Sequence, residues 1–249
     1  MNNVASIAAA VVAAILAITL HEAAHGYAAL AMGDDTARLA GRLSLNPLRH
    51  IDRVGTILLP GLLLVTQLLT LGRVAFMFGW AKPVPVSAWR FRDPRRGMMV
   101  VAAAGPLANF ALAALTALVL PHITAATAVD YFEALLTDHP QAGAFAFYFI
   151  LTNLVLGLFN LIPIPPLDGG RVLVGLLPAS AAAVWARLER AGILVVVLLV
   201  FLLPRFLREF NIEFDPFGQA LTTVLPWALR LVLLAGGHHV ESGGDGFAA

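Results

Sequence analysis

Val4 to Met32 reads VASIAAAVVAAILAITLHEAAHGYAALAM, and its only acidic, basic or imidazole side chains are His21, Glu22 and His25. A run this long and apolar can cross the hydrocarbon core of a bilayer as one helix. Ionisable groups at that depth are costly unless partnered, so they mark a functional site. Residues four apart stand one turn apart on the same helix face. Two imidazoles at that spacing can therefore hold one metal ion, with the intervening Glu beside the metal's water. The competing reading is a soluble core helix with two satisfied histidines. The membrane setting favours a metal site that needs a third ligand.

Composition agrees with the membrane reading. The chain has 249 residues, 59% hydrophobic and 12% charged, against about 25% charged in soluble domains. Its net charge of +1 comes from balanced, local clusters and offers no basic surface for nucleic acid. With no cysteine, disulfides, thiolate zinc sites and cysteine nucleophiles are excluded. The opening Met-Asn-Asn-Val lacks the positive region of a signal peptide, so the first segment is expected to stay as an anchor.

The pattern predicts an all-α fold: a polytopic membrane bundle of about five to six transmembrane segments, one re-entrant, with short strand or extended segments near the site. After the first helix, Gly33-Asp34-Asp35 is a stop. Gly41 to Leu45 alternates polar with apolar and Asn46-Pro47 ends it, which predicts a short strand. Val54 to Leu71 is apolar but carries Pro60-Gly61, which predicts a segment that enters and turns back. Gly79 to Val86, with Pro83 and Pro85, reads as extended. Met98 to Leu120 and Ala142 to Leu161 read as spanning helices, and Ala191 to Leu203 and Phe217 to Ala235 as further apolar segments. Residues 1–235 then form one integral membrane domain, with a core at about 4–178 and accessory helices at about 187–235. The Gly-rich tail 236–249 reads as flexible, with His238 and His239 solvated.

Lys/Arg bias places the acidic connection 121–141 outside, and the basic stretches 36–53 and 73–97 in the cytoplasm. His25, Asn109 and Asp168 then share one layer, nearer the cytoplasmic side. Asp168 is the expected third ligand, because Pro163, Pro165 and Pro166 break the helix before it and Gly169-Gly170 follow. His50 could compete as a ligand, but the basic, polar loop around it reads as a surface or structural position. One zinc ion per chain held by His21, His25 and Asp168 would activate a water and polarise a carbonyl. Glu22 would shuttle the proton. Asn109 and Asn160 are the amides in that layer able to stabilise an oxyanion, or, alternatively, to bond between helices.

The combination of HEAAH at 21–25, GPLAN at 105–109 and NLIPIPPLDGG at 160–170 resembles the site-2 proteases, the zinc intramembrane metalloproteases. RLSLNPLRHID (42–52) and FGWAKPVPV (78–86) resemble its compact prokaryotic branch. The resemblance implies His21, His25 and Asp168 as zinc ligands, Glu22 as the catalytic glutamate and Asn160 at the family's Asn position. It implies a multi-pass protein of a prokaryotic inner or plasma membrane, acting in the lipid bilayer on transmembrane protein or peptide substrates. The connection 121–141 is too short for the PDZ domain that many relatives insert there. Either Gly41–Leu45 or Ala81–Val86 is expected to capture an unwound substrate by strand addition. A cation-coupled transporter or a non-peptidase zinc hydrolase are the alternatives, though a transporter gives no reason for a Glu between two histidines.

Overall fold

Apolar length sets the frame, and turn chemistry sets where each helix starts. The computed structural model describes residues 4–72, 79–187 and 192–240. Helix α1 (Val4–Ala31) is unbroken. A single helical turn (Thr36–Leu39) and an irregular stretch follow. A π-helical turn (Arg53–Leu58) then feeds α2 (Leu59–Leu71). Helix α3 (Pro94–Leu118) starts on Asp93, whose side chain accepts from the Arg95 and Arg96 N–H groups, with Pro94 in the first turn. Helix α4 (Ala128–Asp138) starts on a Thr127/Asp130 capping box. Then come α5 (Pro140–Asn160), α6 (Asp168–Leu176), α7 (Ala179–Arg187), α8 (Gly192–Val196), a π-helical stretch (Val197–Leu202), α9 (Leu203–Arg208) and α10 (Pro216–Ala235).

Among the described residues, five helical runs are long and apolar enough to cross a membrane: 4–31, 53–70, 94–118, 140–160 and 216–235. Helices α1, α3 and α5 pack mutually, and α6 lies against α3. Small residues permit the close approach, as they do between helices in lipid: Ala13 and Ala17 on α1, Ala113 and Ala117 on α3. At Gly157 a Cβ would lie 2.9 Å from the Phe110 ring.

The segment after Arg53 departs from expectation in one respect. Pro60-Gly61 does not turn the chain back: both residues lie within one helical run, where the π-helical turn 53–58 passes into α2. Yet the excursion does return. The Trp80 N–H donates to the Gly55 carbonyl (3.1 Å), and the Thr56 hydroxyl donates to the Trp80 carbonyl (2.9 Å). Both ends of the excursion therefore lie together, and its return path through 73–78 is outside the described residues. Leu62, Val65 and Leu69 of α2 are exposed, as on a lipid-facing helix.

Two local expectations are corrected. Among the described residues there is no β-strand, only an isolated bridge between Ala125 and Val240. Gly41 takes a left-handed φ of 62°, and the Arg42 N–H turns back to the Ala37 carbonyl, so local bonds occupy the backbone of the expected strand. His238 is not solvated. It is 2% exposed, and its Nε2–H donates to the Ala117 carbonyl (2.8 Å) in the last turn of α3, where helix carbonyls lack partners. The rest of the tail, 241–249, lies outside the described residues.

Candidate metal centre

His21 and His25 meet edge to face on α1, with ring centroids 4.7 Å apart. Their Nε2 atoms are 3.1 Å from each other. Asp168, the first residue of α6, brings its Oδ2 to 3.1 Å from the first and 3.3 Å from the second. The predicted ligands are thus assembled, and they are the one group of three or more His, Cys, Asp or Glu among the described residues suited to a metal ion.

The donor set fits zinc. Bonds of about 2.0–2.1 Å in a tetrahedron place ligand atoms about 3.3 Å apart, close to the spacings here. Asp168 Oδ2 is buried and accepts no hydrogen bond, a costly state for a carboxylate oxygen with no cation to face.

Each ligand is held from behind. His25 donates its Nδ1–H to the Val101 carbonyl (2.7 Å) on α3. His21 donates its Nδ1–H to Asn109 Oδ1 (2.6 Å). Both bonds leave Nε2 free for metal, the usual arrangement behind a ligating histidine. Gly105 is the floor of the site: a Cβ there would lie 2.5 Å from His25 Nε2 and 2.6 Å from His21 Cε1. Asp168 is placed by its own neighbours, since Gly169 sits against the Leu161 carbonyl and Gly170 against the backbone of Pro165.

A cavity of about 270 Å³ opens beside the ligands, lined by His21, Glu22, Trp80, Ala81, Asn160 and Leu167, among others. Asn160 therefore faces the reaction space, and its Nδ2 also donates to the Leu156 carbonyl (3.0 Å). Asn109 is placed elsewhere, fully buried behind His21 and outside the cavity lining. Its Nδ2 donates to Asn153 Oδ1 (2.7 Å), a residue that sequence reasoning missed. The signal was present, since Asn153 is an amide side chain in the middle of a mostly apolar helix. His50 is buried and donates from Nε2 to the Ser44 carbonyl, a structural role.

The extended segment 79–87 lies against the site. The Val84 N–H donates to Glu22 Oε2 (3.2 Å), and the Lys82 N–H to the His50 carbonyl (2.8 Å). Asp34 pins the far end of the segment. Fully buried, it accepts from the Ser87 N–H (2.6 Å) and from the Thr36 N–H and hydroxyl, with Arg90 at 3.6 Å. Burial alone would raise its pKa, but those hydrogen bonds and the Arg90 charge hold it below the ordinary value of 3.8.

Known proteins point the same way. The sequence profile of peptidase family M50 matches residues 9–203. The chain is 40% identical, over 78% of its length and 80% of the relative's, to "Putative zinc metalloprotease YwhC" of Bacillus subtilis. It is 30% and 33% identical to the Rip2 proteins of Mycolicibacterium smegmatis and Mycobacterium tuberculosis, which bear the same description. Those matches cover about three quarters of this chain (75% and 76%) and 64% and 65% of the relatives. No solved structure matches the chain.

Proposed function

This chain belongs to peptidase family M50, the site-2 proteases, and is a zinc-dependent membrane metalloprotease; we propose that it hydrolyses peptide bonds in or near transmembrane segments of other membrane proteins. The observation that carries the reading is the shared opening of His21, Glu22 and Asn160 onto one cavity beside the Asp168 carboxylate. The site's layer nearer the cytoplasmic side and the release of membrane-tethered regulators or signal-peptide remnants belong to the same proposal.

His21, His25 and Asp168 would hold the zinc, which when bound would supply Lewis-acid activation of water and of the substrate carbonyl. Glu22 would take a proton from the attacking water on its carboxylate and return it to the leaving amine. The Val84 N–H donates to that carboxylate and holds one of its oxygens in place. Asn160 offers its second amide N–H to the oxyanion that develops on the substrate carbonyl. Asn109 acts through His21 and is a positioning residue.

The substrate must be unwound, because a helix hides its carbonyls in its own ladder. Segment 79–87 suits strand capture. Trp80, Lys82 and Val84 turn their N–H groups inward, and the Trp80 and Lys82 carbonyls are also taken, by Thr56 and Arg42. By the alternation of extended backbone, Ala81, Pro83 and Pro85 form the outer edge. Two of these three lack an N–H, so the edge offers one donor, at Ala81, followed by acceptors only. A substrate strand docked there keeps most of its carbonyls unbonded and available for attack.

The test is zinc content and cleavage of a model transmembrane substrate in detergent for wild type and Glu22→Gln. A variant that keeps its zinc and loses cleavage is the expected result. Wild type without stoichiometric metal refutes the site, and wild-type-level cleavage by the variant refutes the role of Glu22.

A further inference from the structure

The orientation of a buried amide is a choice between two senses, and here the choice decides whether His21 can bind metal. Were the Asn109 side chain rotated end for end, its NH2 would face His21 Nδ1. The proton of the neutral ring would then sit on Nε2, and the lone pair that the metal needs would be lost. Nothing in the Asn109–His21 pair alone prevents this, since each partner can exchange its role with the other.

Asn109 makes a second bond, and that bond has a fixed end. Its Nδ2 donates to Asn153 Oδ1 (2.7 Å), and Asn153 Nδ2 donates to the Phe149 carbonyl (2.8 Å), one turn back on α5. A backbone carbonyl can only accept. It therefore forces the Asn153 NH2 toward itself and the Asn153 oxygen toward Asn109. That oxygen in turn demands the Asn109 NH2, which leaves the Asn109 oxygen for His21 Nδ1–H (2.6 Å). Asn109 and Asn153 are both 0% exposed, so bulk water does not reach either partner.

We propose that Asn153 is a positioning residue that fixes the tautomer of His21: a one-way hydrogen-bond chain runs from the Phe149 carbonyl through Asn153 and Asn109 to the zinc ligand. His25 needs no such chain, because its Nδ1–H meets the Val101 carbonyl directly. The inference rests on His21 being a zinc ligand, as proposed above.

The test measures zinc affinity by competition with a chelator, in wild type, Asn153→Leu, Asn109→Asp and the double variant Asn109→Asp/Asn153→Leu. Loss of a partner behind a ligand weakens metal binding by roughly 10–100-fold, so Asn153→Leu should weaken zinc by about 10-fold. A carboxylate at position 109 can only accept, so it sets the sense without help. The double variant should then match Asn109→Asp within about two-fold, a rescue that lost packing would not produce. Unchanged zinc affinity in Asn153→Leu overturns the inference, as does a double variant weaker than Asn109→Asp by the full single-variant factor. Should Asn153→Leu fail to fold, nitrogen NMR of histidine-labelled, zinc-loaded wild type decides. His21 protonated at Nδ1 and metal-bound at Nε2 is expected, and the reverse overturns the chain. Wild type that binds no zinc refutes the metal site itself, a result separate from any difference among the variants.

Discussion

Gly105→Ala is expected to stabilise a helix and disable a metal site with the same methyl group. The added Cβ would stand 2.5 Å from both Cε1 and Nε2 of His25 and 2.6 Å from Cε1 of His21. Carbon contacts settle at about 3.5–4.0 Å, so the rings must withdraw by about 1 Å. Ligand distances in a working site hold within about 0.2 Å, and neither ring can retreat freely while its Nδ1 is bonded to Asn109 or Val101. At least one imidazole therefore leaves the donor triangle. Zinc affinity should fall by at least the roughly 10–100-fold cost of losing a supporting hydrogen bond. Backbone propensity works the other way, favouring Ala over Gly by about 1 kcal/mol within a helix. The assay pairs chelator competition with circular dichroism on the same purified protein. Helical content intact and zinc weakened is the expected outcome. Zinc affinity within two-fold of wild type would show that the two rings can part around a methyl group, and the argument from the floor of the site would be wrong.

Two further outcomes follow from segment 79–87. Ala81→Pro removes the one outward N–H of the edge; at about 1 kcal/mol per hydrogen bond, kcat/KM for a transmembrane substrate should fall about five-fold with zinc content unchanged, and an unchanged kcat/KM refutes the capture edge. Asp34 has a pKa lowered in the folded protein, so its contribution is present above the unfolded value near 3.8 and is lost as pH falls through the lower folded value. In zinc-free protein, the Tm gap between wild type and Asp34→Asn should narrow below pH 3.8, and a gap that stays constant to lower pH refutes the clamp.

The proposed metal ligands were legible because physics leaves such residues few alternatives. Two histidines and a glutamate in an apolar run need a reason, and the proline-broken backbone before Asp168 supplies a place for a carboxylate. The bundle was legible from apolar length alone. What the sequence hid were relations between distant segments. Gly105 reads as a site of close approach, but that the approaching groups are the two ligand rings depends on how α1 and α3 pack. Asn109 looks equally suited to an oxyanion or an interhelical bond, and only its position behind His21 separates them. Asn153 was overlooked because its partner is 44 residues away. Pro60-Gly61 suggested a turn, yet the π-helical turn before them passes straight into α2, so the helix ran on and the return came later.

The proposed zinc ligands come from the two ends of a long stretch of chain, with roughly 140 residues between His25 on α1 and Asp168 on α6. An ion that joins them closes that loop, and clips that close long loops restrict the unfolded chain most. Binding to the folded form alone adds about 4 kcal/mol when free metal stands a thousand-fold above its dissociation constant. The ion that serves the chemistry is therefore also a rivet in the scaffold. A cell short of zinc would hold fewer copies of this protein, as quality control removes the unriveted ones, and not merely slower copies.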